Sequence, residues 1–212
     1  MLNLMKKSGI VLAMFALIST GLVSVTYHLT RGQIQNQAKK RLLSTLTEVM
    51  PKWMFDNEIY KSCTLVRLPY TEESTWVHAY IAKKGGIHSG LVIEAVAPDG
   101  YNGEMRLIVG VDNEGTILGT RVLLQQETPG LGDRIDLRVS DWILGFTGKS
   151  LPPENSSSWY VKKDGGRIAQ FTGATITPRA VVKALRRTLR FISEQRGNIY
   201  TQSYNCSERG NL

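Results

Sequence analysis

A long apolar stretch near the N-terminus constrains this chain more than any other feature. Residues 8–29 are apolar except for scattered Ser, Thr, Gly, Tyr and His side chains. As a helix the stretch would be about 33 Å long, which is enough to cross the hydrocarbon core of a bilayer. We therefore expect an uncleaved membrane anchor followed by one soluble domain. A cleaved signal peptide is the alternative, although the apolar part is long for one and residues 20–24 form a poor cleavage site.

The side of the membrane on which the domain lies does not follow from the charges. Two lysines precede the stretch, and four Lys or Arg residues lie between positions 31 and 41 after it, so the positive-inside rule does not orient the chain. The chain has two cysteines, Cys63 and Cys206. They could form one disulfide in an oxidising compartment or remain separate thiols, because sequence gives no distance between them.

Composition limits the chemistry that the chain can carry out. Two cysteines are too few for a chain-held iron–sulfur cluster, and no haem attachment motif is present. Hydrolase, zinc and P-loop spacings are also absent, so we predict neither catalytic residues nor a metal site. If the protein carries electrons, an organic cofactor is the remaining candidate.

Hydrophobic periodicity predicts an α+β fold. Residues 33–49 have the spacing of a juxtamembrane helix that Pro51 ends. Residues 76–126 alternate as an antiparallel meander of about four strands, at 77–81, 91–96, 105–111 and 116–124, with turn signals between them. Short helical pieces are expected near residues 130–135 and 140–146. The predicted organisation is an N-terminal stub and transmembrane helix at 1–30, the juxtamembrane helix at 31–51, and a single domain with flanking helices at 52–212.

A second long helix is predicted close to the C-terminus. Thr177 is a candidate N-cap and Pro178 a candidate first helical residue. Apolar residues follow at helical spacing, at Val181, Val182, Leu185, Leu189 and Ile192. This helix carries Lys183, Arg186, Arg187 and Arg190, and the chain has a net charge of +8, which could suggest nucleic-acid binding. We interpret them as the polar face of an amphipathic helix with some attraction to anionic lipid, and expect no nucleic-acid partner.

The tetrapeptide Thr172, Gly173, Ala174, Thr175 ends one residue short of that predicted helix start. It places a hydroxyl at a helix N-terminus, where unpaired N–H groups and the helix dipole favour a phosphate. The tetrapeptide resembles the attachment motif of proteins that carry covalent flavin mononucleotide (FMN). Together with the segments at 127–133 and 97–101, it makes nearly the whole chain similar to the G-subunit family of the Rnf (Rsx) ion-translocating electron transport complexes.

The resemblance implies a set of cofactor-binding residues. Thr175 would carry the FMN phosphate as an ester, with Thr172, Gly173, Ala174 and Thr177 around it. The further flavin contacts that it implies are Glu127, Thr128, Gly130 and Leu131, with Leu131 against the ring. Lys162 could place a cation near the phosphate or the flavin ring, although a solvated charged turn is at least as good an interpretation. Two alternatives stay open. Residues 127–132 could be a plain loop, and Trp142 could be either a stacking residue or a core tryptophan.

The resemblance also implies a function. The chain would be a single-pass flavoprotein subunit of the bacterial inner membrane, with its domain on the periplasmic side. It would relay electrons within a complex that couples electron transfer to ion translocation, and would not be catalytic alone. Other subunits, a separate flavin transferase and membrane lipid are the implied partners. The alternatives are the C subunit of the sodium-translocating NADH:quinone reductase and a cofactor-free tethered scaffold.

Overall fold

Two long helices and one antiparallel sheet make up the fold. The computed structural model describes residues 2–70, 75–151, 153 and 157–206. In chain order the elements are helix α1 (Leu2–Val49), strands β1 (Cys63–Arg67), β2 (Trp76–Lys84), β3 (Ile87–Ala97), β4 (Met105–Asp112) and β5 (Ile117–Leu124), and helix α2 (Ile176–Thr201). Short 3₁₀ helices occupy Lys52–Met54, Gly132–Ile135, Asp141–Phe146, Ser157–Trp159 and Lys162–Asp164. The α+β prediction is confirmed.

Helix α1 joins two segments that the sequence suggested as separate. It runs without a break from the apolar stretch to Val49, and the part from Lys6 onward is long and apolar enough to cross a membrane. Leu12, Leu17 and Leu29 are 72%, 75% and 78% exposed, as suits a helix surrounded by lipid. The chain divides into two compact units, one up to residue 42 and one from residue 43 onward. The contacts that build the sheet domain lie in the second unit.

The sheet is a meander in which each strand pairs with the next. Its order within the described residues is β1-β2-β3-β4-β5, and every neighbouring pair is antiparallel. Strands β2 to β5 confirm the four that were predicted, whereas β1 was not predicted. Alternate residues of the strands share one buried cluster with the apolar stripe of α2, among them Ile81, Ile93, Val109, Val181, Leu185 and Leu189.

The last turn of α1 packs against the opposite face of the sheet. Leu46, Val49 and Met50 are fully buried there. Gly110 and Gly119 face each other on β4 and β5, and a Cβ on Gly119 would lie 2.8 Å from the Cα of Val49, while one on Gly110 would collide with the Val49 carbonyl oxygen. These two glycines, the glycine pair, let the helix backbone approach the sheet more closely than any side chain would permit.

The C-terminal segment closes the outer edge of β1. Cys206 is bonded to Cys63, so the alternative of separate thiols is not what the structure has. Asn205 donates its backbone N–H to the Cys63 carbonyl (3.2 Å) and accepts the Leu65 N–H on its side-chain oxygen (2.8 Å). The edge strand that would otherwise be open therefore has its hydrogen-bonding groups partly satisfied within the chain.

Four basic residues of α2 contact other side chains of the domain. Their partners are acidic and aromatic side chains: Arg179 with Asp164, Lys183 with Asp99, Arg186 with the ring of Tyr160, and Arg187 with the ring of Tyr70. This agrees with the interpretation of these residues as the polar face of an amphipathic helix.

Candidate functional site

Helix α2 begins two residues earlier than predicted, at Ile176, with Thr175 in the N-cap position. The prediction of Thr177 as N-cap is therefore wrong. The hydroxyl of Thr177 is buried and donates to Oε2 of Glu127 at 2.5 Å, across 50 residues of sequence. The hydroxyl that was expected to cap the helix is therefore engaged in a long-range contact. Pro178 becomes the third helical residue, which the first turn tolerates because no N–H is required there.

The start of the helix leaves several polar groups without a protein partner. The carbonyl of Thr175 accepts the first helical bond, from the N–H of Arg179 at 3.2 Å. The backbone N–H groups of Thr175, Ile176 and Thr177 have no acceptor among the described residues. The half-buried hydroxyl of Thr175 makes no hydrogen bond to them either. Three backbone N–H groups and one hydroxyl without a partner among the described residues thus lie at the positive end of a 26-residue helix.

The turn that leads into the helix depends on Gly173. The N–H of Ala174 donates to the carbonyl of Phe171 at 3.2 Å, and Gly173, third of the four residues, has φ +82°. That φ is readily adopted only by glycine. Thr172 and Gly173 are exposed while Phe171 is buried, so the turn is anchored at its base and presents its tip to solvent.

A second turn of the same kind follows strand β5. The carbonyl of Thr128 accepts the N–H of Leu131 at 3.1 Å, and Gly130 has φ +76° directly after Pro129, the signature of a type II turn. The two turns meet, since a Cβ placed on Gly173 would lie 3.4 Å from Cδ2 of Leu131. Leu131 is 41% exposed, so an apolar side chain stands beside the tetrapeptide.

Glu127 links the loop after β5 to the first turn of α2. It is 5% exposed, and its Oε2 accepts the hydroxyl of Thr177 while its Oε1 accepts the backbone N–H of Asn102 at 3.2 Å. Gly132 lies against both partners, because a Cβ there would be 2.8 Å from Glu127 Oε2 and from Thr177 Oγ1. The loop at 127–132 is thus more than a plain connection: it is fastened to the first turn of α2.

Asn102 is the member of this site that sequence reasoning missed. It follows the segment 97–101, which carried part of the resemblance, but its contribution is a backbone N–H and so has no residue-type signal. Its side chain also donates to the Gln126 carbonyl at 3.0 Å. The loop between β3 and β4 is therefore part of the site's support.

Lys162 lies on an exposed 3₁₀ turn that is fastened to α2. Asp164 of the same turn accepts two hydrogen bonds from the guanidinium of Arg179, both at 2.7 Å, and this partner holds the pKa of the Asp164 carboxyl below its usual value. The ammonium group of Lys162 itself makes no hydrogen bond or ion pair within the described part of the chain. A role for it toward a phosphate stays a prediction.

Trp142 is built into the packing below the tetrapeptide. Its indole N–H donates to the Ala169 carbonyl at 2.6 Å, and its ring lies edge-on to Phe146 and Phe171 at centroid distances of 5.2 and 5.3 Å. These contacts favour the interpretation as a core residue, which supports Phe171 at the base of the turn.

The residues present fit a phosphate-linked cofactor with an apolar ring. The free amides and the helix dipole suit a phosphate, the Thr175 hydroxyl is available as an ester oxygen, and Leu131 and Ile176, 41% and 44% exposed, offer apolar surface beside it. The positive-φ glycines at 130 and 173 keep both turns free of side chains at their tips.

Family models match two parts of the chain. The FMN-binding domain matches residues 100–190, which include every residue of the candidate site, and the RnfG N-terminal region matches residues 1–49.

Full-length relatives match as well. The chain is 54% identical over 207 residues to the G subunit of the ion-translocating oxidoreductase complex of Vibrio parahaemolyticus serotype O3:K6 (strain RIMD 2210633), covering 98% of both chains. It is 54% identical over 206 residues to the protein of the same name from Vibrio atlanticus (strain LGP32), covering 97% of this chain and 99% of the relative. For that of Aliivibrio fischeri (strain ATCC 700601 / ES114), the identity is 49% over 210 residues, or 99% and 100% of the two chains. The chain therefore belongs to the G-subunit family of the ion-translocating oxidoreductase complexes.

Proposed function

We propose that this chain is a membrane-anchored flavoprotein subunit of an ion-translocating oxidoreductase complex, and that it holds FMN through a phosphoester to Oγ1 of Thr175. One observation carries the covalent part: the Thr175 hydroxyl has no partner among the described residues and stands beside three amides without acceptors. This site lies inside the region that matches the FMN-binding domain. As one component of a larger complex, the chain relays electrons and does not catalyse the whole reaction alone.

Each part of the site has a physical task in this proposal. The amides of Thr175, Ile176 and Thr177 donate to the phosphate oxygens, and the helix dipole stabilises their charge. Gly173 and Ala174 keep the approach to the hydroxyl uncrowded, with Thr172 at the exposed rim. When bound, FMN supplies one- and two-electron chemistry.

The loop after β5 would border the flavin ring. Leu131 offers an apolar contact, while Thr128 and the backbone of Gly130 can hydrogen-bond to polar edges of the ring. Lys162, on its exposed turn, would supply a cation toward the phosphate.

The proposed location is the bacterial inner membrane, with α1 as a single span and the domain on the periplasmic side. The Cys63–Cys206 disulfide supports this side, since disulfides persist in the oxidising periplasm and not in the cytosol. The proposed partners are the other subunits of the complex, anionic lipid and a flavin transferase. The transferase is proposed because none of the described residues beside Thr175 offers a base for self-attachment.

Flavin that survives denaturation tests the proposal. The full chain is expressed with the flavin transferase, denatured in SDS and examined for in-gel flavin fluorescence. We expect a fluorescent band that Thr175→Ala abolishes, whereas Thr147→Ala, at an exposed threonine outside the site, keeps it. A wild-type band without fluorescence would overturn covalent attachment, and a fluorescent Thr175→Ala band would move the attachment elsewhere.

The two alternatives are disfavoured on different grounds. Relatives that match over nearly their whole length are named as the G subunit, which favours that complex over the C subunit of the sodium-translocating NADH:quinone reductase. A cofactor-free scaffold gives no reason for a match to an FMN-binding domain. Co-purification of the chain from native membranes would identify its complex.

A further inference from the structure

The buried carboxylate of Glu127 is the group in this site whose task the proposed function leaves open. The resemblance suggested that it touches the flavin. Yet it is 5% exposed, and its partner Thr177 is 1% exposed. A carboxylate this deeply buried requires donors from the protein, because an uncompensated buried charge is strongly unfavourable.

Both oxygens of that carboxylate are engaged by the protein. Oε2 accepts the hydroxyl of Thr177 at 2.5 Å, and Oε1 accepts the backbone N–H of Asn102 at 3.2 Å. Space around them is also taken, since a Cβ on Gly132 would lie 2.8 Å from Oε2 and one on Gly100 would lie 2.9 Å from Oε1. Little room is left for a ligand atom.

The partner of Glu127 lies on the same helical turn as the attachment residue. Thr177 is two residues after Thr175, and its own N–H is one of the three amides without an acceptor among the described residues. Holding the Thr177 side chain fixes the rotation of the first turn of α2 about its axis. It therefore fixes where the Thr175 hydroxyl and the three amides point relative to Leu131 and Gly173.

We infer that Glu127 is a positioning residue that acts through Thr177, orienting the Thr175 hydroxyl for attachment of the cofactor without touching the flavin itself. The inference rests on the proposed function. Charge-assisted hydrogen bonds to a carboxylate are short and directional, so this pair is suited to fixing an orientation. Small displacements of a reacting group lower reaction rates steeply.

Two substitutions at Thr177 separate the hydrogen bond from the shape of the side chain. Thr177→Val keeps the volume and removes the hydroxyl, whereas Thr177→Ser keeps the hydroxyl. The measurement is covalent flavin per chain over time after induction, in full-length protein expressed with the flavin transferase. We expect Thr177→Val to load about tenfold more slowly, and Thr177→Ser to restore most of the rate.

A destabilised control distinguishes positioning from general loss of structure. Ile192→Val shortens a buried side chain of the same helix away from the site, and its thermal midpoint is compared with that of Thr177→Val. We expect Ile192→Val to load at the wild-type rate. Loading lowered equally in Ile192→Val and Thr177→Val, at similar thermal midpoints, would overturn the positioning role.

Substitutions at Glu127 itself give a second, independent test of the inference. Glu127→Gln can still accept the Asn102 N–H and bond Thr177, whereas Glu127→Ala can do neither, so we expect Gln to retain most of the loading and Ala to lose it. Equal loading of Thr177→Val and wild type would overturn this inference alone. A wild-type chain without covalent flavin would instead overturn the proposed function, and the inference with it.

Discussion

Thr175 and Thr177 stand two residues apart at the start of α2, yet their hydroxyls have opposite surroundings. That of Thr177 is buried and bonded to Glu127, while that of Thr175 is half-buried and bonded to nothing among the described residues. Local rules favoured Thr177 as the cap, because a threonine before a proline is a common helix start. Only the long-range contact with Glu127 assigns the two hydroxyls their different roles.

A second residue-scale pair lies on the sheet. His78 Nδ1 is 3.1 Å from Oε1 of Glu94. The hydrogen bond to Glu94 raises the pKa of His78 above its ordinary value, against an opposing effect of burial. Because the folded-state pKa is the higher one, the stabilisation is fully present below the ordinary pKa of about 6.5 and is lost as the pH rises through the raised value.

We therefore expect His78→Gln to lower the free energy of unfolding by about 1 kcal/mol at a pH of about 5.5, and by progressively less toward a pH of about 8. The measurement is urea unfolding of the full chain in detergent across that range, taken as the difference between wild type and variant at each pH. A difference that does not change with pH would contradict the pair's contribution.

At the scale of elements, the glycine pair explains how the end of α1 is held. Gly110 and Gly119 oppose each other on β4 and β5, and the backbone of Val49 occupies the space where their side chains would be. Leu46 and Met50 are buried on either side of this contact. Residues 46–50 are thus held in a fixed position on the sheet.

Gly119→Ala should loosen that contact. A methyl group there would lie 2.8 Å from the Val49 Cα, so we expect a loss of about 1–3 kcal/mol in stability and faster amide exchange at residues 46–50. Gly197→Ala is the matched control, because that glycine is on α2 with nothing within 4 Å and alanine favours a helix. Unchanged exchange at 46–50 in Gly119→Ala would show that the pair does not hold the helix.

Some elements were predicted from the sequence and one strand was not. Strands β2 to β5 were predicted because alternating apolar residues and glycine turns are local signals. The 3₁₀ helices at Gly132–Ile135 and Asp141–Phe146 also lie where short helical pieces were expected. Strand β1 was missed because it is five residues long, and its outer edge is completed by Asn205, which lies 140 residues away in sequence.

The features of the site differ in the same way: those with local sequence signals were predicted, and those made by long-range contacts were not. The tetrapeptide, its glycine turn and the Thr128–Leu131 turn were suggested by local residue types and by resemblance. The Glu127–Thr177 bond and the Asn102 N–H were not, because they depend on how three distant loops meet.

For the whole molecule, one covalent link joins the two ends of the described domain. Cys63 and Cys206 are separated by 143 residues in sequence, so the bond constrains the unfolded state strongly. We expect Cys63→Ser with Cys206→Ser, or reduction of the wild type, to lower the free energy of unfolding by about 2–5 kcal/mol. Non-reducing mass analysis verifies the bond, and equal stability of the reduced and oxidised wild type would contradict this role.

The central claim concerns a single ester at Thr175, and peptide mass analysis of the denatured full-length chain tests it most directly. Trypsin should release residues 168–179 as one peptide, because Arg167 and Arg179 bound it. We predict that this peptide carries an added mass of FMN less one water, with fragment ions that assign it to Thr175. An unmodified peptide from fluorescent native protein, or a modification assigned to Thr172 or Thr177, would contradict the account.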